Sequence, residues 1–281
     1  GSTDTIRGTT VTTVAVDVPG CHNADGAKGI NSAQSTTGHS PPHGSPQNSG
    51  KDSSYIPENG AASSGKGSYS GNWDPQTTGQ DGRYIKILQA NITSMSKRVL
   101  KYLVASCDHD VVCIQEHKLS GNKLKLAVKK LSKYYEVAST KAPVKVKGLQ
   151  GGTMVLIRKG IATVYSGGLP GPKEDDFWSV QILRCSGYNL AIISIYLHPD
   201  DRVRNGKTMF GVSQFVANYR GQYMILGDYN MPPDDLVEAQ WDVTAKSQFA
   251  TPSDTLITCK AGQGSLIDYG LVSGPLKHDM K

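Results

Sequence analysis

A carboxylate and an amide stand two residues apart in GDYN (227 to 230), directly after the apolar run QYMIL. On a strand, residues i and i+2 share a face, so Asp228 and Asn230 would project together from the strand's end. A carboxylate beside a neutral amide can orient or deprotonate a water and stabilise a nearby oxyanion. The same four residues also suit a plain β-turn. IQEHKL (114 to 119) ends a second apolar run with Glu116. That is a natural position for a Mg²⁺ ligand, because this ion takes few protein oxygens and keeps its waters, and equally for a solvated strand terminus. LQANI sets Asn91 in an otherwise apolar strand, where a buried amide needs partners of any kind. ISIYLHPDD (193 to 201) offers Tyr196 and His198 on one strand face, a phenol and an imidazole able to contact a phosphate. The alternative for His198 is a surface position near a turn. Asp268 lies within GSLIDYGLVS, where a carboxylate is costly unless paired, and its use would be to hold an imidazole or a metal-bound water. Each signal has an ordinary structural explanation, but polar groups at the ends of several different strands together resemble an assembled site.

The elements that must carry these groups follow from periodicity. YIKILQANI (84 to 92), DVVCIQE (110 to 116), GTMVLIRK (152 to 159), ATVYS (162 to 166), FWSVQILRC (177 to 185) and NLAIISIYLH (189 to 198) read as strands. QYMILGD, TLITC and LIDYGLVS add three more, and Gly-Tyr-Asn at 187 to 189 reads as a hairpin turn. Helical spacing appears in Val99, Leu100, Leu103 and Val104 after Ser96, in 122 to 135 (Leu124, Val128, Leu131, Tyr135), and in Met209, Val212, Val216 and Tyr219. Strands outnumber helices and the two are interspersed, which gives an α/β or α+β class with sheets packed under helices.

Composition confines that fold to one part of the chain. Residues 1 to 82 hold no Leu, Phe or Met and 14 of the 31 glycines, so they cannot bury enough apolar surface to offset chain entropy. The expected organisation is a low-complexity, mostly disordered tail over 1–82 and one domain over 83–281. Only VTTVAVDV (11 to 18) alternates like a strand in the tail, and it would need a partner sheet to persist. The tail carries four Lys plus Arg against seven Asp plus Glu, and the remainder 26 against 17, so the domain is basic at +9. A basic domain fits a polyanion, nucleic acid before an acidic membrane surface. The longest apolar run, around LAIISIYL, is far below the ~20 residues of a membrane span. No signal peptide is visible, and five cysteines without CxxC spacing read as reduced core thiols of an intracellular protein.

In order, LQANI, IQEHKL, GGTMVLIRKG, FWSVQIL with NLAIISIYLHP, MILGDYNMPPDD and TCKAGQGSLIDYGLVS resemble the successive motifs of the endonuclease/exonuclease/phosphatase superfamily. The flavour is that of the apurinic-type endonuclease domains of non-LTR retrotransposons, and the resemblance covers about 84 to 273. It implies a four-layer sandwich of two β-sheets flanked by helices and a metal-dependent phosphodiester hydrolase acting on DNA, with a nuclear setting. The implied cofactor is Mg²⁺, with Mn²⁺ as the alternative ion. By resemblance, Asn91 and Glu116 match the first two site residues, Glu116 being the metal ligand with Asp268 as an aid. Tyr196 matches a phosphate-contacting tyrosine, and His198 stands where deoxyribonuclease-like members place a histidine. Asp228 matches the residue that positions the attacking water, Asn230 the amide that stabilises the pentacovalent state, and Asp268 the aspartate that orients a catalytic histidine.

The pattern departs at its end. The family carries a Ser-Asp-His type motif on a further strand, whereas His278 follows Asp268 by only ten positions, too few for a turn and a returning strand. The resemblance therefore implies missing last strands, an open sheet edge and a catalytically crippled site. Nine lysines between 118 and 147 face the single acid Glu136. Lys118, Lys123, Lys145 and Lys147 are the candidates to track a nucleic-acid backbone; a solvated helix face explains the run as well. Two other functions share these residues: a degenerate domain kept for binding or structure, with the tail contacting a protein partner, and a phosphatase on inositol lipids or small phosphates.

Overall fold

The computed structural model describes residues 10–17, 84–145, 148–165, 168–173, 176–250, 258 and 265–279. In chain order they form β1 (Thr10–Asp17), β2 (Tyr84–Asn91), α1 (Lys97–Ala105), β3 (Val111–Gln115), α2 (Gly121–Leu131), β4 (Tyr135–Ser139), β5 (Val144–Lys145), β6 (Gly148–Leu149) and β7 (Met154–Arg158). There follow β8 (Thr163–Val164), β9 (Trp178–Arg184), β10 (Asn189–Tyr196), α3 (Arg202–Asn218), β11 (Gln222–Asp228), α4 (Pro233–Glu238), α5 (Trp241–Thr244), β12 (Ser247–Ala250), β13 (Asp268–Ser273) and a 3-10 turn over Gly274–Asp279.

The strands make two sheets, ordered β1-β2-β3-β7-β4 and β12-β13-β11-β10-β9-β8, beside a small β5-β6 ribbon. Each sheet contains one parallel pair, β2 with β3 and β10 with β11, crossed over by α1 and α3 respectively. Their other pairings are antiparallel.

Alternation along the strands builds three apolar layers. Ile85, Ile87, Val111 and Cys113 of the first sheet pack with Leu190, Ile192, Met224 and Leu226 of the second. The intervening residues point outward: Leu88, Val112 and Ile114 cluster with Val99 and Leu103 of α1 and Leu131 of α2. On the far side, Ile193, Ile195 and Ile225 cluster with Val212 and Phe215 of α3, Leu236 of α4 and Trp241 of α5. The result is the four-layer α+β sandwich that the motif order implies. Full burial of each such side chain contributes about 1.5–3 kcal/mol, and truncating one, as in Ile192→Ala, would cost roughly 2–5 kcal/mol. The helices start where the chain supplies caps: Ser96 Oγ accepts from the Val99 N–H and Asp201 Oδ1 from the Arg204 N–H.

The segment that needed a partner sheet has one. β1 pairs with β2 over its full length, from Thr10 opposite Asn91 to Asp17 opposite Tyr84, and covers the β2 edge. The stretch 19–82 lies outside the described residues, as does TLITC except Thr258.

The sequence-expected helix over 122 to 135 ends instead at Leu131, and Tyr135 opens β4. Tyr135 continues the helical spacing of Leu131 only by coincidence; it is fully buried as a strand residue and its hydroxyl donates to the Leu103 carbonyl. α3 begins seven residues before Met209, and α4, α5, β4 and β12 lack a sequence signal strong enough to have been read. Cys107, Cys113 and Cys185 are free and buried. Among the described residues no helix is long and apolar enough to cross a membrane.

Candidate active site

The two parallel pairs end at one rim of the sandwich. Asn91 and Gln115 are register partners at the ends of β2 and β3, and Tyr196 and Asp228 are partners at the ends of β10 and β11. Asp268 begins the antiparallel β13 opposite Asp228, so it stands at the same rim. Crevices at the carboxyl ends of parallel strands are where such folds bind ligands, because loops of free sequence leave the sheet there.

Polar bonds across the interlayer hold the two rims in register. The Gln89 side-chain amide donates to the Gly227 carbonyl (2.8 Å) and the Gln115 amide to Ser194 Oγ (2.8 Å), which in turn donates to the Ile114 carbonyl (3.1 Å). At the mouth, Asn91 Nδ2 donates to Asp228 Oδ2 (2.7 Å). Asp228 Oδ1 accepts from the Asn230 backbone N–H (3.0 Å), so both of its oxygens are engaged. Gly227 is required at its position, since a Cβ there would run into Ile195 of the neighbouring strand.

Asp228 is 1% exposed, and its carboxyl is pushed well above the usual carboxylate range. Burial is the main cause, followed by the charges of Asp268 and then Glu116. The Tyr196 phenol is pushed up as well, by burial and then by Glu116, Asp228 and Asp200, so it remains a hydrogen-bond donor at neutral pH. Glu116, Tyr196, Asp228 and Asp268 therefore share one electrostatic neighbourhood.

Glu116 reaches it by a backbone device. It follows β3 with φ +56, a left-handed conformation that costs a non-glycine residue on the order of 1 kcal/mol or more. Its carboxylate is 17% exposed and pairs with Lys118 Nζ at 2.9 Å. The turn is braced by His117, which is fully buried: Nε2 donates to the Thr140 carbonyl (2.9 Å) and Nδ1 accepts from the Leu119 N–H (3.0 Å). Burial pushes this imidazole down to about 4, which keeps it neutral. Gly152, at φ +85, leaves room for the ring, and a Cβ there would strike it.

Asn230 and His198 lie past their strands rather than on them. Asn230 sits at φ +48 with its amide donating to the Leu197 carbonyl (2.7 Å), so GDYN turns after Asp228 instead of carrying both side chains on one strand face. His198 stands edge-on to Tyr196, with ring centroids 6.5 Å apart. Its Nδ1 accepts from the Asp200 N–H (3.0 Å) and its Nε2 lies 2.7 Å from Gln150 Oε1, which fits a neutral ring protonated on Nε2. Asp268 and Ile267 donate their backbone N–H groups to Thr258 Oγ1. Of the lysines, Lys118 is drawn to Glu116, Lys123 is exposed on α2, and the Lys145 side chain and Lys147 lie outside the described residues.

Among the described residues no group of three His, Cys, Asp or Glu side chains is arranged to hold a metal ion. Mg²⁺ needs less, since one or two carboxylates and retained waters suffice. Hard oxygen donors are present in Glu116, Asp228 and Asp268, and their mutual repulsion is what a divalent cation would relieve. The donor set fits such an ion. Sequence reasoning missed Gln89, Gln115 and Ser194; polar residues at inward positions of apolar strands were the available signal, the same one that marks Asn91. For His117 the spacing offered none.

No family model and no curated protein matches the chain. Among solved structures it resembles the AP endonuclease LMAP from Leishmania major at 15% identity, over 67% of this chain and 78% of that one, with a TM-score of 0.51. The endonuclease domain of TRAS1, a telomere-specific non-LTR retrotransposon, aligns over 69% of this chain and 87% of that one at 12% identity, with a TM-score of 0.47. The likeness is one of fold: the chain has the two-sheet architecture of the endonuclease/exonuclease/phosphatase type.

Proposed function

We propose that the chain is a divalent-metal-dependent phosphodiester hydrolase acting on DNA. The observation that carries this reading is the Asp228 carboxyl, gripped by Asn91 across the two sheets and raised by burial and then by Asp268 and Glu116. A carboxyl displaced upward is a stronger base than an ordinary one, and both of its oxygens are held in a fixed direction. In this reading Asp228 takes the proton of the attacking water. Asn91 holds Asp228, and Asn230 fixes the turn that follows it. Tyr196, kept protonated, donates to a phosphate oxygen. Glu116, aided by Asp268, would hold Mg²⁺ or Mn²⁺, which supplies charge neutralisation of the phosphate and of the leaving oxygen. The basic domain and the likeness of the fold to an AP endonuclease support DNA as the substrate.

One observation favours a second reading, a domain that binds nucleic acid without cutting it: Lys118 already supplies a cation to Glu116. Nicking of supercoiled plasmid separates the two. The hydrolase reading expects conversion to the open-circular form with Mg²⁺ and none with EDTA or with Glu116→Gln. Binding without metal-dependent nicking would leave the second reading standing.

A further inference from the structure

A cleft of about 490 Å³ opens between α3 and the segment leading into β9, with none of Glu116, Asp228 and Asp268 in its lining. Lys173, Arg204 and Lys207 line it together with Trp178 and Phe210. It lies at the same rim as the candidate active site: Trp178 is the register partner of Ile195, one residue before Tyr196. The two are joined by packed rings, since Phe177 meets Tyr196 edge-on with centroids 5.4 Å apart and the Arg204 guanidinium lies 4.9 Å over Phe177.

Cations and donors predominate in the described lining, beside Asp176 and the neutral Thr208 and Gln214. Lys and Arg side chains and the indole N–H donate hydrogen bonds and accept none. Trp178 Nε1 and one terminal nitrogen of Arg204 are buried with no hydrogen-bond partner among the described residues. Among the described residues none of the three cations has a carboxylate partner. The acid lining the cleft among the described residues, Asp176, has its Oδ2 bonded by the Lys173 backbone N–H. A ligand that satisfies such a lining must be rich in acceptors and negatively charged. Phe210 adds a second requirement. Its ring is 65% exposed, one helical turn from Lys207 on the same face of α3. An anion that also offers a flat apolar face answers both, and a nucleotide within a strand has that pairing of phosphate and base.

We infer that this cleft binds the nucleic-acid strand beside the scissile phosphate, with its phosphates on Lys173, Arg204 and Lys207 and one base against Phe210. The inference rests on the nucleic-acid reading of the rim and adds to it a binding track whose residues take no part in the chemistry.

The test is fluorescence anisotropy of a labelled single-stranded DNA 12-mer with the full chain in EDTA, where no cleavage competes. Lys173→Glu, Lys207→Glu and Phe210→Ala alter exposed side chains. Each should weaken binding about tenfold, and Lys207→Glu should also lower the salt slope by about one ion. Lys159→Glu, a charge reversal in the turn after β7 at the opposite end of the sheets, should leave binding within about twofold. If the wild type binds and the three variants bind equally well, the cleft is not the track, while the reading of the active site stands. If Lys159→Glu weakens binding as much, only overall charge is at work and the inference fails. Loss with Phe210→Ala alone would mark an apolar surface for a protein and overturn it. A wild type that binds no oligonucleotide even at low salt overturns the inference together with the nucleic-acid reading.

Discussion

The two β-α-β units, β2-α1-β3 and β10-α3-β11, bring a carboxylate to the same rim by opposite means. In the first, Glu116 lies beyond the strand in a left-handed turn, partly exposed, with Lys118 as its counterion. In the second, Asp228 is still within the ladder, almost wholly buried, with both oxygens accepting hydrogen bonds. In the proposed hydrolase the difference separates two chemical duties. A carboxylate at the surface can exchange its cation, and so can take a metal ion. One locked inside a strand cannot reorient, and burial with like charges raises its affinity for a proton.

The largest effect expected from breaking this contrast is at Asp228. Asp228→Asn keeps the shape and removes the proton acceptor, so cleavage should fall by roughly 10²–10⁴-fold, measured in single-turnover assays. Thermal stability should change little, because removing a buried like charge offsets the loss of one acceptor for the Asn91 amide or the Asn230 N–H. A variant that loses stability and activity together would mean that Asp228 is structural.

The Glu116 turn depends on a neutral imidazole. Above about pH 6.5 His117 is neutral in both folded and unfolded chains, and there it makes stability no function of pH. Below that the unfolded chain takes a proton that the folded chain refuses until about 4, so stability declines as pH falls between those values. The full decline is on the order of 3 kcal/mol. Urea unfolding in EDTA at pH 7, 5.5 and 4 would register it, and His117→Gln should flatten the profile over this range.

Next in size are the bonds that keep the two units in register. Gln89→Leu removes the donor to the Gly227 carbonyl and leaves that oxygen buried without it, at a cost of about 1–3 kcal/mol. Cleavage should fall by more than the folded fraction explains, since the Asn91–Asp228 bond lies two residues further along the same strand face. The smallest effect belongs to Lys118→Ala. It frees Glu116 of a partly exposed ion pair worth about 1 kcal/mol or less, so half-maximal activation should need up to about fivefold less Mg²⁺.

The strand ends were legible in the sequence because a lone polar residue in an apolar run marks itself. Asn91, Asp228 and Asp268 stand where that pattern put them, as do the sheets that carry them. β4 was hidden because Tyr135 repeats the helical spacing of Leu131, and only pairing with the distant β7 makes it a strand. The brace on Glu116 was hidden for another reason: His117, Thr140 and Gly152 are distant in sequence and meet only through the pairing of β7 with both β3 and β4. The turn at Asn230 was legible in GDYN, whereas that at Glu116 rests on a positive φ that no local pattern of its neighbours announces.

The proposed hydrolase requires the partly exposed Glu116 and the buried Asp228 to act as one catalytic unit across the two sheets. A double-mutant cycle on single-turnover cleavage of duplex DNA in Mg²⁺, with wild type, Glu116→Gln, Asp228→Asn and the double variant, tests it most directly. Members of one machine are strongly non-additive, so the double variant should be no slower than the slower single variant. Multiplicative losses, or a wild type that cuts no DNA in Mg²⁺, would contradict the account.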